Sequence, residues 1–452
     1  MATNTIVLIN PWIHDFAAYD LWSKPYGLLQ LAAYLRQKGY FIHFIDCLDV
    51  YHPAMEANTG LKPPKRRRYG TGKFWKEAIP KPQPLSHINR VYARYGILPD
   101  IFKKELQRVS RPKAILMTSL MTYWYPGVIE AIRMVKEVHP STPVILGGIY
   151  ARLCTDHARS HCIADHVISS SEPSELLGLL NDLEIFPDDA MKGQRTYSWP
   201  AFDLLTRLDY ICLLTSTGCP YRCRYCASAF LNPHFRQRDH NDVFEEILYW
   251  HREYRIIDFA FYDDALLVNG QGHFIPLMER IVSSGLRLRF HTPNAIHIRE
   301  IDLEVARLMK RAGFVTLRIG LETADFGLHR PLDNKIAEGE FERGVKNLLK
   351  VGFHPSQIGA YILVGVPNQS VQAVKETIDF VAANGVMPYL AEYSPLPHTE
   401  LWKEAVSSSE YDLENEPLFH NNTLLPCWDQ SKRAKMSELK QRLKEVREKL
   451  RP

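Results

Sequence analysis

The sequence contains no run of roughly 18 consecutive apolar residues, the length that a membrane-spanning helix needs. Its first residues, MATNTIVLINPW, lack the basic leader and small-residue cleavage site of a secretory signal. Cysteine is scarce, with eight residues among 452, so the disulfide framework of a small secreted domain is excluded. We therefore expect a cytoplasmic protein without a membrane span.

The composition also lacks the features of a disordered chain. Hydrophobic residues make up 46% of the sequence and charged residues 23%, which is typical of a globular protein with packed cores. The chain is too long for one ordinary core, so two domains of roughly 200 residues each are expected.

Acidic residues are scarce in one segment, residues 51–113, which we call the basic insertion. It contains 15 Lys and Arg, including the run KRRR at 65–68, and its local balance of +11 leaves about −7 for the rest of the chain. Its four acids are Glu56, Glu77, Asp100 and Glu105. Five aromatic residues lie between the charges: Tyr69, Phe74, Trp75, Tyr92 and Tyr95. The insertion is interpreted either as a solvated surface or as a contact surface for phosphate, carboxylate or nucleic acid.

The first part of the chain alternates short β-rich runs with helical patterns. The predicted strands are TIVLIN (5–10), FIHFID (41–46), AILMTSL (114–120), PVILGG (143–148) and ADHVISS (164–170). Helical periodicity lies at 26–39, 126–138 and 172–182. This alternation predicts an α/β fold, a doubly wound (Rossmann-like) parallel sheet over residues 1–185. Ligands of such sheets bind beyond the carboxyl ends of the strands, so segments 10–15, 118–125 and 147–152 are candidates for binding.

A second array of six β/α units follows a predicted linker at 186–209. Its predicted strands are ICLLTST (211–217), IIDFAFYDD (256–264), LRLRFHTPN (286–294), FVTLRIGLET (314–323), QIGAYILVG (357–365) and MPYLAEYSP (387–395). No seventh or eighth unit is visible, so residues 210–405 are predicted to form a partial (β/α)6 barrel with its site at the carboxyl ends of the strands. Residues 406–452 form a C-terminal extension that ends in a charged amphipathic helix.

Three cysteines lie within eight positions of TSTGCPYRCRYCAS (215–228), and no fourth cysteine is near: Cys219, Cys223 and Cys226. A structural zinc ion normally takes four Cys or His ligands. The nearest downstream histidine is His234, so a zinc knuckle with a distant ligand is one alternative. Three thiolates on an iron–sulfur cube would leave one iron open for a substrate.

The CxxxCxxC spacing after the first strand of a six-unit β/α array resembles the radical S-adenosylmethionine superfamily. The resemblance covers about residues 205–405 and includes the phrases FYDD (261–264), RIGLET (318–323), GAYILVGVP (359–367) and SPLPHTELW (394–402). It implies that Cys219, Cys223 and Cys226 hold a [4Fe-4S] cluster whose open iron chelates S-adenosylmethionine. It also implies a flavodoxin or ferredoxin-type reductant and reductive cleavage of that cofactor to a 5′-deoxyadenosyl radical.

The same resemblance implies roles for four further residues. Tyr225 would lie against the adenine, Asp263 and Asp264 near the methionyl amino group, and Glu322 near the ribose or amino group. Two alternatives remain open at this point. Asp264 could cap the following helix, and Glu322 could belong to a structural ion pair.

An open sheet ahead of such a barrel resembles the cobalamin-binding, methylase-like (class B) members of this superfamily. The phrases that carry the resemblance are INPW, KPYGLLQLAAYLRQKGY, FIDC, ILGGIYA and SEPSELL. The DxHxxG motif of some cobalamin enzymes is absent. The resemblance implies a cobalamin tail in the crevice near four residues: Thr118, Ser119, Gly147 and Gly148. The alternative is a degenerate domain kept for dimerisation or substrate binding.

Three functions follow from these features. The first is a radical enzyme that uses cobalamin to methylate an unactivated carbon of an unknown small-molecule or peptide substrate. The second is a radical enzyme that performs a cyclisation, rearrangement or carbon–sulfur bond formation. The third is a nucleic-acid-binding protein with a structural metal and the basic insertion as its contact surface. The five remaining cysteines are expected to be buried small hydrophobes.

Overall fold

The computed structural model describes residues 4–188 and 199–450, and the chain forms two compact units. The first unit comprises Met1–Leu208 and Asn415–Leu418, and the second comprises Asp209–Glu414 and Phe419–Pro452. Residues 189–198 of the predicted linker lie outside the described residues. None of the helices in the described ranges is long and apolar enough to cross a membrane.

The first unit combines strands and helices in alternation. Its described strands are β1 (Thr5–Asn10), β2 (Ile13–Asp15), β3 (Tyr19–Asp20), β4 (Phe41–Asp46), β5 (Gly72–Lys73), β6 (Lys76–Ala78), β7 (Ala93–Tyr95), β8 (Ala114–Met117), β9 (Val144–Leu146) and β10 (His166–Val167). Its described helices are α1 (Tyr26–Gln37), α2 (Pro53–Thr59), α3 (Pro99–Gln107), α4 (Tyr125–Val138), α5 (Ile149–Leu153), α6 (Thr155–His161) and α7 (Pro173–Asp182).

Five of these strands form a parallel sheet in the order β10-β9-β8-β1-β4, which confirms the predicted doubly wound fold. The chain passes from β1 to β4 on one side and then to β8 on the other, so the switch point lies between β1 and β8. Successive residues of β1 point to opposite faces of the sheet. Val7 and Ile9 pack with the core that contains α3 and α4, whereas Ile6 and Leu8 pack with the core of α1 and α7.

The basic insertion is folded, and most of its aromatic residues belong to the core. Strand β7 pairs with β2 and β6, and β5 pairs with β3, all antiparallel. Phe74, Trp75, Tyr92 and Tyr95 are at most 9% exposed. These four rings therefore cannot line a contact surface, and of the five aromatic residues only Tyr69 is not buried.

The second unit contains the other described elements. Its strands are β11 (Ile211–Leu213), β12 (Ser216–Thr217), β13 (Arg236–Gln237), β14 (Asp258–Phe261), β15 (Arg289–His291), β16 (Phe314–Glu322), β17 (Ile358–Val364) and β18 (Met387–Glu392). Its helices are α8 (Ser228–Leu231), α9 (His240–Tyr254), α10 (Phe274–Ser283), α11 (Leu303–Ala312), α12 (Phe326–Leu332), α13 (Glu340–Lys350), α14 (Val371–Ala383), α15 (Trp402–Ser408), α16 (Gln430–Ala434) and α17 (Met436–Lys449).

Six strands of this unit form a parallel sheet in the sequential order β11-β14-β15-β16-β17-β18. No ladder joins β11 to β18 among the described strands, so the array stays open as predicted. The strands end earlier than the predicted runs. After Leu213 the chain leaves the sheet, and β12 pairs with β13 in a separate antiparallel ladder.

The helices that cover this sheet carry ordinary start and stop signals. In α11 the Asp302 carboxylate accepts a hydrogen bond from the Val305 N–H, and Gly313 ends the helix in the left-handed conformation. The predicted charged helix near the C-terminus is α17, whose buried residues recur every three or four positions: Met436, Leu439, Leu443 and Val446. That apolar stripe packs against α14 and β18, so the charged residues remain on the outer face.

Candidate active site

A tight loop at the carboxyl end of β11 carries the three cysteines. Gly218 has φ 74°, and a Cβ at this position would lie 2.6 Å from the His234 carbonyl oxygen and 2.8 Å from that of Asn232. Only glycine fits so close to the neighbouring backbone. The loop is thereby held in place immediately before Cys219.

Cys219, Cys223 and Cys226 line one cavity of about 310 Å³ at the strand ends of the second unit. Among the described residues, no three His, Cys, Asp or Glu side chains are placed to hold a single metal ion. Zinc at about 2.3 Å from each sulfur would require the thiolates to crowd together. Three thiols around a larger space fit an iron–sulfur cluster, which takes cysteine ligands through several irons.

The cysteine thiols are held in their neutral form. Burial raises the pKa of Cys223 to about 12 and also raises the pKa of Cys219 and Cys226. Because metal binding requires thiolates, loading a cluster here releases protons. The positive charge of Lys335 acts in the opposite direction and lowers the pKa of Cys223.

Lys335 connects two of the predicted site residues. Its Nζ donates a hydrogen bond to the Tyr225 hydroxyl at 3.1 Å and lies 3.7 Å from Glu322 Oε1. Among the described residues that line the cavity, Lys335 is the only cation. Tyr225 and Glu322 are thus brought together beside the cavity, and the alternative of an ion pair for Glu322 is realised with Lys335.

The segment after α12 positions Lys335. His329 Nδ1 lies 3.0 Å from Asp333 Oδ1, and the same Asp333 oxygen accepts the backbone N–H of Lys335 at 3.0 Å. The phrase PLDNKIAE around Lys335 contains no spacing that marks a site, so sequence reasoning missed this residue. Lys335 and Tyr225 are 110 residues apart, so no short sequence pattern could have predicted that they are in contact.

Asp263 and Asp264 occupy different environments although they are adjacent. Asp263 is 3% exposed and accepts hydrogen bonds from the Thr215 N–H at 3.0 Å, the Thr215 hydroxyl at 2.7 Å and the Ser216 hydroxyl at 2.6 Å. These bonds tie the end of β14 to the end of β11. Asp264 lines the cavity and accepts a hydrogen bond from the Ser228 hydroxyl at 2.6 Å. Burial raises the pKa of both carboxyls.

Two further polar side chains of the described lining come from other strands and were not predicted. Asn294 donates to the Tyr262 carbonyl at 2.6 Å, and Tyr361 donates to the Pro293 carbonyl at 2.9 Å. Both residues follow or belong to strands of the six-strand sheet, β15 and β17. The cavity therefore collects residues from the carboxyl ends of several strands, as expected for a barrel site.

In the first unit, the structure brings together the four residues predicted for cobalamin at the ends of β8 and β9. The Ser119 hydroxyl donates to the Gly147 carbonyl at 2.6 Å, and the Ile149 N–H donates to the Ser119 carbonyl at 2.7 Å. A Cβ on Gly148 would lie 2.3 Å from that carbonyl oxygen, so Gly148 serves the packing of the chain itself. A Cβ on Gly147 would meet nothing within 4 Å. Of these four positions, Gly147 is the one beside which the structure leaves open space, and Thr118 is half-buried.

The end of β1, by contrast, is filled by the chain itself. The Trp12 indole N–H donates to the Ile97 carbonyl at 2.7 Å, and Asp15 accepts the Trp124 indole N–H at 2.8 Å. His14 Nε2 lies 2.7 Å from a Glu130 carboxylate oxygen. Segment 10–15, expected to bind a ligand, is therefore buried beneath the chain's own side chains and offers no open histidine.

Residues 213–381 match the Radical SAM superfamily. An uncharacterized methyltransferase, PH0819, of Pyrococcus horikoshii is 27% identical over 219 residues, 46% of this chain and 46% of that protein. Bacteriochlorophyllide d C-12(1)-methyltransferase of Chlorobaculum tepidum is 24% identical over 282 residues, 58% of this chain and 59% of that protein. The matched region thus spans about half the length of these curated relatives.

Several solved structures resemble nearly the whole chain. One of them, the radical S-adenosylmethionine methyltransferase TsrM from Kitasatospora setae with cobalamin and a [4Fe-4S] cluster bound, has a TM-score of 0.64. The match covers 91% of this chain and 76% of TsrM at 15% sequence identity. At that identity the likeness establishes a shared fold.

Proposed function

The second unit carries a radical SAM domain, and from that premise we propose that the protein is a cobalamin-dependent radical S-adenosylmethionine methyltransferase acting on an unactivated carbon. The radical part of this proposal rests on one observation: Cys219, Cys223 and Cys226 line the same cavity. The names of the relatives support the methyltransferase part, since PH0819, the bacteriochlorophyllide enzyme and TsrM are each described as methyltransferases.

We assign the three cysteines as ligands of a [4Fe-4S] cluster and Lys335 as the cation that meets the cofactor carboxylate. When bound, the cluster supplies the electron for cleavage of the sulfonium. Asp264 faces the cavity and can accept a hydrogen bond from the methionyl amino group. Tyr225 and Glu322 hold Lys335 in position, and Asp263 holds the cysteine loop through Thr215 and Ser216.

For cobalamin we assign Thr118 and Gly147 at the ends of β8 and β9. Gly147 lets a ligand approach the backbone closely, and the Thr118 hydroxyl is a donor for a ligand oxygen or nitrogen. Ser119 and Gly148 pack against the neighbouring backbone at these strand ends and are not assigned a contact with the ligand. Cobalamin supplies methyl-transfer chemistry when it is bound.

The test is anaerobic reconstitution followed by turnover with cell extract as the source of substrate. We expect about four irons and four sulfides per chain, cobalamin that survives desalting, and joint formation of S-adenosylhomocysteine, 5′-deoxyadenosine and a methylated product. Cys223→Ser should abolish the cluster, whereas Cys154→Ser, outside the cavity, should leave it intact. A protein that loads iron but retains no cobalamin and forms no methylated product would contradict the methyltransferase assignment.

A second candidate keeps the radical step and omits methyl transfer. It is favoured by one observation: the end of β1, beside the switch point, is filled by Trp12 and by the His14–Glu130 contact. In that case 5′-deoxyadenosine forms without S-adenosylhomocysteine. The two products, measured in the same reaction, separate the two candidates.

A further inference from the structure

A hairpin in the basic insertion has no role in the proposed reaction. We define the basic hairpin as residues 62–76, KPPKRRRYGTGKFWK, which contain seven Lys and Arg and no acid. We propose that the basic hairpin binds the backbone of a single-stranded nucleic acid.

The hairpin is a defined turn within the first unit. Arg66 and Gly72 form an antiparallel bridge, and the Arg67 N–H donates to the Thr71 carbonyl at 2.6 Å. A Cβ on Gly72, whose φ is 156°, would lie 2.8 Å from the Lys65 carbonyl oxygen. Glycine is therefore needed for the two arms to approach, and the tip carrying Arg67 and Arg68 is fixed in conformation.

One of the seven cations is used inside the hairpin. The Arg66 guanidinium donates to the carbonyls of Gly70 and Lys73, each at 2.9 Å, and pairs with the buried Asp20 carboxylate. Arg66 thus braces both arms and attaches them to the neighbouring strand. Its charge is neutralised and is not available to a partner.

The other six cations are exposed: Lys62, Lys65, Arg67, Arg68, Lys73 and Lys76. None of them has an acidic partner within the described ranges of the chain. Unpaired positive charges carried by one short segment repel one another. A polyanion that places several phosphates along the hairpin relieves this repulsion and releases counterions.

The base of the hairpin is anchored in the core. Phe74 and Trp75 are 5% and 9% exposed, and the Trp75 indole N–H donates to the Val50 carbonyl at 3.1 Å. The backbone at the base of the hairpin is therefore held in place before a partner binds, which reduces the conformational entropy lost on binding.

Planar groups beside the cations favour a single-stranded nucleic acid over other polyanions. The Arg68 guanidinium lies 5.3 Å from the centroid of the Tyr69 ring. Tyr19, which is 49% exposed, stands opposite Lys73 in the β3–β5 ladder. The unstacked bases of a single strand can pack on aromatic rings and guanidinium planes. A duplex keeps its bases stacked and a lipid headgroup has none, so neither partner makes this contact.

The test measures binding of a fluorescein-labelled 12-nucleotide oligouridine to the full-length, anaerobically purified protein at several salt concentrations. The triple variant Lys65→Gln, Arg67→Gln, Arg68→Gln is compared with a matched variant of the exposed C-terminal lysines, Lys435→Gln, Lys444→Gln, Lys449→Gln. Both lose three positive charges. We expect the slope of log affinity against log salt to fall by about 2 in the hairpin variant, at about 0.7 per lost phosphate contact, and to be unchanged in the control.

Three outcomes overturn the proposal. Equal weakening by the two triple variants means that net charge alone attracts the RNA. If a 12-base-pair duplex binds with the same affinity as oligouridine, Tyr19 and Tyr69 do not select a single strand by stacking on its bases. Hairpin-dependent binding to phosphatidylglycerol vesicles without binding to oligouridine assigns the surface to a membrane.

Discussion

The Lys335 ammonium group donates a hydrogen bond of 3.1 Å to the hydroxyl of Tyr225, a residue that stands between two of the three cavity cysteines in sequence. Burial alone lowers the pKa of Lys335, but the neighbouring carboxylates of Glu322 and Asp333 outweigh it, and the pKa lies above its ordinary value. Lys335 therefore carries a full positive charge at the edge of the cavity.

Replacing Lys335 by Met should weaken binding of S-adenosylmethionine. A hydrogen bond to a charged group contributes about 1.5–3 kcal/mol, so the dissociation constant should rise roughly 10- to 100-fold. Calorimetry on the reconstituted protein measures it, with Lys346→Met, on the exposed face of α13, as the control. An unchanged dissociation constant would remove Lys335 from the cofactor site. Lys335→Met alone leaves the buried Glu322 carboxylate without its cation. The double variant Lys335→Met, Glu322→Gln removes that charge and is measured alongside.

The two neighbouring acids should respond differently to the same substitution. Asp263→Asn removes hydrogen-bonding capacity from a carboxylate that holds Thr215 and Ser216, so the free energy of unfolding should fall by about 1–3 kcal/mol. Asp264→Asn should leave stability nearly unchanged and weaken cofactor binding. Denaturant unfolding and calorimetry on both variants test this division. It is wrong if Asp263→Asn affects only cofactor binding and Asp264→Asn only stability.

The glycine pair at the end of β9 should show a similar division. A Cβ on Gly148 would lie 2.3 Å from the Ser119 carbonyl oxygen, and φ is 95°, so Gly148→Ala should lower stability by about 2 kcal/mol or more. Gly147→Ala meets open space and should fold as stably as the unsubstituted protein. If Gly147 contacts cobalamin, this variant should retain less of the cofactor after desalting. Full retention would exclude that contact.

His420 should make the second unit sensitive to acid. Burial lowers its pKa to about 4, and its Nε2 lies 2.8 Å from the Leu413 carbonyl oxygen, where a neutral ring donates a hydrogen bond. The unfolded chain, with an ordinary histidine pKa near 6.5, binds the proton first. Stability contributed by neutral His420 is therefore present above about pH 6.5 and is lost as the pH falls toward 4.

The measurement for His420 is the denaturant midpoint at pH 7.5 and pH 5. His420→Gln keeps a donor but cannot titrate, so the difference between the two midpoints should be smaller than in the unsubstituted protein. His234→Gln, at an exposed histidine, is the control and should leave the difference unchanged. An identical pH difference in all three proteins would show that His420 does not contribute.

Much of the fold follows from local patterns. The run FIHFID coincides with β4, Phe41–Asp46, and the predicted helix at 126–138 is α4, Tyr125–Val138. The strand ends were less accurate, because side-chain hydrogen bonds compete there with the ladder. Asp263, for example, takes the backbone N–H of Thr215 just where the chain leaves β11. Nothing in the alternation of residues 51–113 indicated that Trp75 and Tyr92 belong to the core.

The sequence by itself determined the cysteine triad and the two parallel sheets, because these depend on short spacings and on the period of buried residues along each strand. Only the tertiary structure decided which side chains meet the triad. Lys335 is 110 residues from Tyr225 and reaches it through a turn held by His329 and Asp333. Asp263 and Asp264 follow the end of β14, and they divide between the loop and the cavity because Asp263 lies within hydrogen-bond reach of Thr215 and Ser216 just after β11, whereas Asp264 contacts Ser228. Such contacts depend on where distant strand ends meet, and no local pattern encodes them.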